Sequence, residues 1–527
     1  MLLALAFSTG PVLLHSHKEL AQLARTGRWV TPSALWALLL ATVCAHAAMG
    51  LTPFFIAAPV LMNVGLALLL SIAVALNAGN EARITRWLHA MLIGILIAAL
   101  FNAAVAAVQM LAPAWADDVW IARSAPPGDR AAGNLRQPNQ LATLMLWGLL
   151  ATSYFWRKRP LLWTLWSLPL LTALVATGSR TGMVSLLFIV VVALARSRRV
   201  KAWRFKGWLA LLLVCLPLLW FAESIFTRST ANTALSLRVA LWRDVIGVIG
   251  QQPWLGVGWG QLNFVWTLTP RAARAADVFD HAHSLPLHLA AELGLPVAAL
   301  CVFLIAALLW RARGALLGSA GITLALLIAT MLLHSLIEYP LWFSYFLLPS
   351  AMLLACFTRL GVLAQPADVG AANTADAPPA RWLQSGLSHG LKLAAVLCLV
   401  GVAFARSEYK KATNIHRAVG QPESLTLAVE RARLSPLYGH FGDYAAIMLA
   451  GDRAAPALFE RPIRHVLDER LLAAYAQMLA RSGDNARTAY VVARAREFPP
   501  DAAFAQLPTP SAPLLPEKAL SADDFRR

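Results

Sequence analysis

Charge is what this chain has least of. Only 14% of its 527 residues are charged, and acids are the rarer sign, with 27 Asp and Glu against 45 Lys and Arg. Soluble domains carry roughly a quarter charged residues, so a chain that is 58% hydrophobic cannot dress a water-facing surface of ordinary size. Cysteine is also scarce. Cys44, Cys215, Cys301, Cys356 and Cys398 all fall inside apolar runs, which excludes a disulfide framework and a Cys-based metal site. The opening MLLALAFSTGPVLL lacks the basic start and small-residue cleavage site of a signal peptide. Asp117 and Asp118 form an isolated acidic pair, too few partners for an oxygen-ligated divalent cation. No nucleic-acid reading follows from the +18 formal charge, because the basic residues flank apolar runs instead of lining one face of a soluble domain.

What remains is a series of apolar runs near the length that crosses a bilayer as helix, roughly 17 to 25 residues. They lie at about 33–50, 54–78, 87–111, 140–156, 160–177, 182–196, 208–222, 285–310, 317–336, 341–360 and 387–405, with residues 1–14 a shorter twelfth candidate. Backbone polar groups in lipid need partners within their own segment, which helices supply. The expectation is an all-α polytopic membrane protein with about 11–12 transmembrane helices. Basic residues in short loops mark the cytoplasmic side: Arg157 to Arg159, the run from Arg196 to Lys206, Arg311 with Arg313, and EARITR from Glu81. The loops around 112–139, 178–181, 223–284 and 337–340, and the tail after Arg406, then face the other side. This alternation runs the first segment from outside to inside, and so leads one to expect a further span upstream of Met1.

Two segments read as non-membrane. The loop at about 223–284 is long enough to carry short helices of its own. The tail, 406–527, follows an Ala/Pro-rich cytoplasmic linker at about 361–386. In the tail, LLAAYAQMLARSGDNARTAYVVARAREFPPD pairs two Ala-rich helices across Ser482-Gly483-Asp484 and resembles one tetratricopeptide-type hairpin. Such a hairpin serves equally to pack against the membrane domain or to bind a partner.

Four outward-facing clusters carry polar chemistry. RAAGNLRQPNQLATL brings Arg130, Asn134, Gln137, Pro138 and Asn139 to a helix entry, suited either to binding sugar hydroxyls through amides or to simple capping. Thr177-Gly178-Ser179-Arg180-Thr181-Gly182 holds Arg180 at headgroup level, where a guanidinium pairs with phosphate oxygens or snorkels. SLRVALWRDVIGVIGQQPWLGVGWGQ sets Arg238 and Trp242 four apart on one helical face. Gly256, Gly258 and Gly260 follow in a flexible turn, a backbone that can cradle pyrophosphate although not in a nucleotide-binding context. Last comes FDHAHSLPLHLAAELGLPV, with His281 and His283 at the mouth of an apolar helix, Ser284 at the N-cap position, and His288 and Glu292 below on one face. The turn His334-Ser335-Leu336-Ile337-Glu338-Tyr339-Pro340 adds another base and carboxylate.

These segments resemble, in order and spacing, the bacterial O-linked protein oligosaccharyltransferases of the PglL or PilO type, within the superfamily of O-antigen ligases and O-antigen polymerases. The resemblance rests on GNLRQPNQLATL from Gly133, SRTG from Ser179, SLRVALW with PWLGVGWGQ, HSLPLHLAAELGLP from His283 and HSLIEYPLWFSYFLLP from His334. It covers nearly the whole chain, and the last stretch best favours the protein-glycosylating branch. His283, Ser284 and Gly294 meet the ligase signature, whose final Gly, Thr or Tyr is here Val297.

The resemblance implies a transmembrane ligase domain over 1–405 and a periplasmic helical tail over 406–527, in the bacterial inner membrane with its active site on the periplasmic face. It implies transfer of a preassembled glycan from undecaprenyl pyrophosphate to Ser or Thr of a periplasmic, pilin-like protein, with inversion, without cofactor and without metal. His283 is then the general base, and Arg238 with Arg180 neutralises the pyrophosphate. Arg130, Asn134, Gln137, Asn139, His281, His334, Glu338 and Tyr339 bind substrate. The acidic ligands and Trp-Trp-Asp motif of N-linked transferases do not occur in the sequence. An O-antigen ligase using lipid A core as acceptor and a polymerase using a second lipid-linked repeat share the donor chemistry. A lipid-linked glycan transporter is the reading from another class, and it should show internal repeats and charges near the bilayer midplane.

Overall fold

A computed structural model describes residues 30–77, 80–124, 129–196, 230–271, 274, 278–364, 381–420, 422–499, 503–504, 507–509 and 520–526. The expected segments at 1–14 and 208–222, the basic run after Arg196 and most of the linker lie outside the described residues. Among those described there is helix and no strand. Helices α1 (Val30–Ala48), α2 (Phe54–Asn77), α3 (Glu81–Leu111), α4 (Pro138–Trp156), α5 (Pro160–Ala176) and α6 (Arg180–Arg196) come first. Then follow α7 (Thr230–Gln251), α8 (Leu262–Leu268), α9 (Leu285–Leu293), α10 (Leu295–Arg311), α11 (Ser319–Ser335) and α12 (Ser344–Leu363). The tail contributes α13 (Arg381–Arg417), α14 (Pro422–Arg433), α15 (Gly439–Ala450), α16 (Glu469–Arg481) and α17 (Asn485–Ala495).

Among the described helices, α2, α3 and α12 are long and apolar enough to cross a membrane, with 24, 31 and 20 residues. Four shorter apolar stretches, Pro32–Ala48, Pro160–Ala176, Leu295–Arg311 and Ser319–Ser335, accompany them. On α3, Ile93, Ile97 and Phe101 are more than half exposed or close to it at 50%, 64% and 56%. Their i, i+4, i+8 spacing makes one outward apolar stripe, a cost in water and the ordinary surface of a helix in lipid. The chain is thus a helical membrane protein.

The described residues form two compact units. One unit comprises Met1–Ser33, Leu69–Asn232 and Ala306–His389. Its core gathers Leu88, Ala99, Leu141, Trp147, Leu170, Leu324 and Phe357 from α3, α4, α5, α11 and α12. Trp147 sits edge-on to Phe346 and donates its indole N–H to Leu327 O at 3.1 Å, so no buried donor is wasted.

The other unit comprises Ala34–Leu68, Thr233–Ile305 and Gly390–Arg527. Its core interleaves Leu241, Val245, Phe264 and Trp266 of the long loop with Leu471, Tyr475, Tyr490 and Phe525 of the tail. Polar links run beside it: Arg464 Nε donates to Gln261 Oε1 at 2.7 Å, and the Tyr490 hydroxyl to Leu268 O at 2.6 Å. α16 and α17 flank the Ser482-Gly483-Asp484 turn, with Asp484 capping Arg487 N.

One expected span is two helices. Where the sequence suggests continuous helix over 285–310, the chain breaks between α9 and α10 at Gly294, with φ 84° and ψ 158°. Leu295 N–H leaves the helical pattern and donates to Pro253 O at 2.8 Å. Pro296 has no N–H to continue a ladder. A Cβ on Gly294 would lie 2.2 Å from Trp254 O, so close backbone approach as well as conformation requires glycine there.

Candidate active site

In the unit that contains the long loop, the site is built around the turn before α9. Asp280 Oδ1 is hydrogen-bonded to His281 Nδ1, and His281 Nε2 faces His283 Nδ1 at 3.2 Å. The two imidazole centroids are 4.0 Å apart, and Phe279 stands edge-on to His283. His283 has φ 46°, a left-handed conformation that costs a non-glycine residue roughly 1–2 kcal/mol. Neighbours hold that turn: Asn263 Nδ2 donates to Phe279 O and Trp242 Nε1 to Ala282 O, each at 3.0 Å. Burial pushes the His281 imidazole down to about 4 against the opposing pull of Asp280, so this ring is neutral at neutral pH. Arg238 is half-buried, one helical turn before Trp242 on the same face of α7. Ser284 occupies the N-cap position but its hydroxyl makes no cap bond.

Below the turn, Glu292 has an anchoring role. Its carboxylate accepts Gly260 N–H at 2.8 Å and Leu262 N–H at 3.2 Å, and lies 3.3 Å from His288 Nε2. Val257 and Gly258 donate to the carbonyls of Ala291 and Glu292. The glycine-rich turn suggested as a pyrophosphate cradle therefore spends the N–H groups of Val257, Gly258 and Gly260 on the end of α9. Glu292 is the buried counter-group of that turn, at a helix terminus instead of deep in a continuous span.

In the other unit, a polar seam joins three segments. Asn139 Nδ2 donates to Glu338 Oε1 at 3.1 Å, and its Oδ1 accepts the Ser179 hydroxyl at 2.7 Å. His334 Nδ1 pairs with the Thr143 hydroxyl at 2.8 Å, while its buried Nε2 has no hydrogen-bond partner. The Tyr345 hydroxyl donates to Gln140 Oε1. Tyr339 lies among Trp342 and Phe343.

Other sequence-chosen residues of this unit are engaged locally. Gln137 caps α4 through Gln140 N at 2.6 Å. Arg130 Nε donates to Thr177 O at 2.8 Å. Asn134 uses its amide in both directions on the 116–123 loop, accepting from Ala122 N and donating to Trp120 O. Arg180 is exposed at the first residue of α6. A cation there opposes the helix dipole, which an anionic ligand would relieve. Sequence reasoning passed over Ser179, Thr143, Gln140 and Tyr345 as individual participants. It also missed Gln109, whose amide receives the N–H of Ala132 and Gly133 and donates to Ala122 O and Gly133 O. A Gln in the last turn of a long apolar helix was the available signal.

Fold and site together define a class: an all-helical membrane protein with histidine, arginine and amide clusters at the ends of apolar helices. Three family models match the chain. The model described as O-antigen ligase matches residues 165–302, that for the C-terminal part of a virulence factor membrane-bound polymerase matches 322–511, and that for a protein glycosylation ligase matches 131–156. A ComP-specific O-oligosaccharyltransferase of Acinetobacter baylyi is 27% identical over 238 residues, covering 42% of this chain and 43% of the relative. A general O-oligosaccharyltransferase of the same organism is 26% identical over 254 residues, covering 43% of each. The chain thus spans less than half the length of these curated relatives. Together these matches support a PglL/PilO-type member of the O-antigen ligase superfamily. Asn139, Ser179, Arg238, His283 and Glu338 all fall inside the matched stretches.

Proposed function

We propose that the protein is an inverting O-oligosaccharyltransferase of the bacterial inner membrane, acting on the periplasmic face. Its donor is a preassembled glycan on undecaprenyl pyrophosphate, and its acceptor a Ser or Thr hydroxyl of a pilin-like periplasmic protein. The observation that carries this reading is His283, held in a strained backbone beside His281 and Asp280 in a chain whose relatives are named O-oligosaccharyltransferases. Strain of that kind persists when surrounding structure over-determines it, and it concentrates at functional sites.

In this scheme the acceptor oxygen attacks the anomeric carbon while the His283 imidazole removes its proton. The anomeric bond to the pyrophosphate oxygen breaks, and Arg238 and Arg180 offset the charge that grows on the leaving group. A single displacement inverts the anomeric centre. Gln137, Asn139, Glu338, His334 and Tyr339, with Arg130, Asn134 and His281 in support, serve glycan and acceptor binding. The carrier linkage supplies the driving force, so neither nucleotide, cofactor nor metal is required. Eleven or twelve spans, a periplasmic loop near 223–284 and a periplasmic tail complete the proposed topology, with 1–405 as ligase domain and 406–527 as tail.

The O-antigen ligase match over 165–302 favours one second reading, with a lipid A core sugar as acceptor. Purified full-length protein given lipid-linked oligosaccharide together with a pilin-like protein and lipid A core decides between them by mass. A glycan mass on the protein is expected. Mass gain on lipid A core alone would establish the ligase instead, and no gain on either would overturn the transferase.

A further inference from the structure

We propose that the loop at 112–124 is an interfacial foot: Trp115, Val119 and Trp120 stand in the headgroup layer of the bilayer that α3 crosses, and so set the height of the entry to α4.

The apolar stripe on α3 does not stop at Phe101. Leu111 is 85% exposed and lies about five helical turns beyond Ile93, on the same face. The rise between them is roughly 27 Å, close to the roughly 30 Å hydrocarbon core of a bilayer. Between Arg86 and Asp117 the sequence holds no Asp, Glu, Lys or Arg. Leu111 therefore marks one edge of the hydrocarbon. The residues just past it combine tryptophan with charge: Trp115, Val119 and Trp120 are 75%, 75% and 78% exposed, with Asp117, Asp118 and Arg123 exposed among them. An indole, apolar in body and carrying one N–H, suits the zone between acyl chain and water.

The loop is built to hold these side chains outward. Asp117 Oδ1 accepts the N–H groups of Val119, Trp120 and Ile121 at 3.0, 2.8 and 3.0 Å. Asp118, in a left-handed turn at φ 59°, donates its N–H to Ile121 O and accepts that of Arg123. Arg123 Nε closes the base on Ala116 O at 2.9 Å. Arg123 and Arg136 share the Asp118 carboxylate at 3.7 and 3.5 Å, so these two arginines balance the two acids. Apolar contact and not charge then selects the partner, and zwitterionic lipid suffices. The exposed surface runs without interruption from the lipid-facing stripe into the loop, which favours lipid over a protein as its cover.

The foot is tied to the entry of α4 by two amides. Asn134 accepts Ala122 N–H and donates to Trp120 O. Gln109 donates to Ala122 O and receives the N–H groups of Ala132 and Gly133. Asn134 N–H in turn bonds Asn102 Oδ1 on α3 at 2.9 Å, and a Cβ on Gly133 would lie 2.8 Å from the same oxygen, so this segment packs flush against α3. The contact of the foot with lipid thereby registers Gln137 and Asn139 to headgroup level, where the pyrophosphate of a lipid-linked donor lies. That consequence rests on the proposed donor; the foot itself does not.

The test uses the full chain, labelled with fluorotryptophan, in phosphatidylcholine nanodiscs. Fluorine NMR signals are assigned with W115F, W120F and W147F. A nitroxide on the lipid headgroup should broaden Trp115 and Trp120 more than one at the end of the acyl chain, and Trp147, midway along α4, should show the reverse order. Broadening of Trp115 and Trp120 only by a gadolinium chelate in the buffer would put the loop in water, and broadening by no probe would put a protein surface over it; either overturns the foot. Trp115→Ser with Trp120→Ser, at an unchanged melting temperature, should raise KM for the lipid-linked donor severalfold with kcat near wild type, and the paired Phe substitutions should restore it. An unchanged KM would overturn the registering role. Wild-type protein with the expected broadening that transfers no glycan would support the foot and refute the transferase reading.

Discussion

Removing the Arg274 guanidinium should loosen the loop from the tail. Its side chain is fully buried, at 0% exposure, between the rings of Trp266 and Phe498, each 4.7 Å from the guanidinium carbon. It donates to the carbonyls of Trp266, Thr267 and Thr269 at 2.8, 3.1 and 2.9 Å and pairs with Glu497 at 2.7 Å. Arg274→Met keeps volume but leaves three carbonyls and a partly buried carboxylate without their donor. Breaking a buried ion pair from one side costs about 3–5 kcal/mol. Arg494, 2.7 Å from the other Glu497 oxygen, softens the loss at the carboxylate, so the lower half of that range is expected. For a body of 150–250 residues each kcal/mol moves the midpoint by roughly 2–4 °C, which predicts a fall of about 10 °C. Trp266 fluorescence on heating in lipid nanodiscs reads it, with Glu497→Gln completing a double-mutant cycle. A fall below about 2 °C, or full additivity with Glu497→Gln, would show that the pair does not join loop to tail.

Four further outcomes follow from the same structure. Gly294→Ala should destabilise by at least about 2 kcal/mol, through a Cβ 2.2 Å from Trp254 O and a backbone conformation that alanine resists; an unchanged melting point would refute the break between α9 and α10. Acid should weaken the tail: burial, with His465 and Arg461 adding to it, holds His440 down to about 2, and burial holds His465 near 4. Above the unfolded histidine value of about 6.5 both states are neutral and stability is full; as pH falls below it the unfolded chain takes up protons that the fold refuses. Stability should therefore drop by up to roughly 1.4 kcal/mol per pH unit per histidine, and His440→Phe should flatten the melting temperature against pH between 6.5 and 4. Arg238→Lys keeps charge but loses the planar fork and should slow transfer at least tenfold in a single-turnover assay. Transfer should persist in EDTA; a loss restored by magnesium or manganese would contradict pyrophosphate neutralisation by arginine alone.

Much of the fold is written in local pattern. The apolar runs at 54–78, 140–156 and 160–177 correspond within two residues to α2, α4 and α5, because helices in lipid are continuous in both hydropathy and hydrogen bonding. Gly294-Leu295-Pro296 shows why the single span over 285–310 was misread: hydropathy does not fall at the break, and only the glycine and proline mark it. The His281 and His283 pair was legible as chemistry. Its partners were not, since Trp242 and Asn263 reach the turn from positions 40 and 16 residues before the carbonyls they bond, and bonds to backbone leave no trace in side-chain pattern. Ser179 and Thr143 escaped for the opposite reason, being small hydroxyls whose meaning depends on Asn139 and His334 facing them. Nor could spacing foresee the loop and tail sharing one core, because Phe264 and Phe525 meet only in the folded chain.

The account turns on His283 as the base for glycan transfer. Its most direct measurement is single-turnover transfer from lipid-linked oligosaccharide to acceptor protein by His283→Ala, set against wild type at equal membrane insertion and equal melting temperature. The account predicts a rate reduced at least 10²-fold, the low end of general-base catalysis, with donor binding retained. A variant that inserts, folds and transfers glycan at the wild-type rate would contradict it.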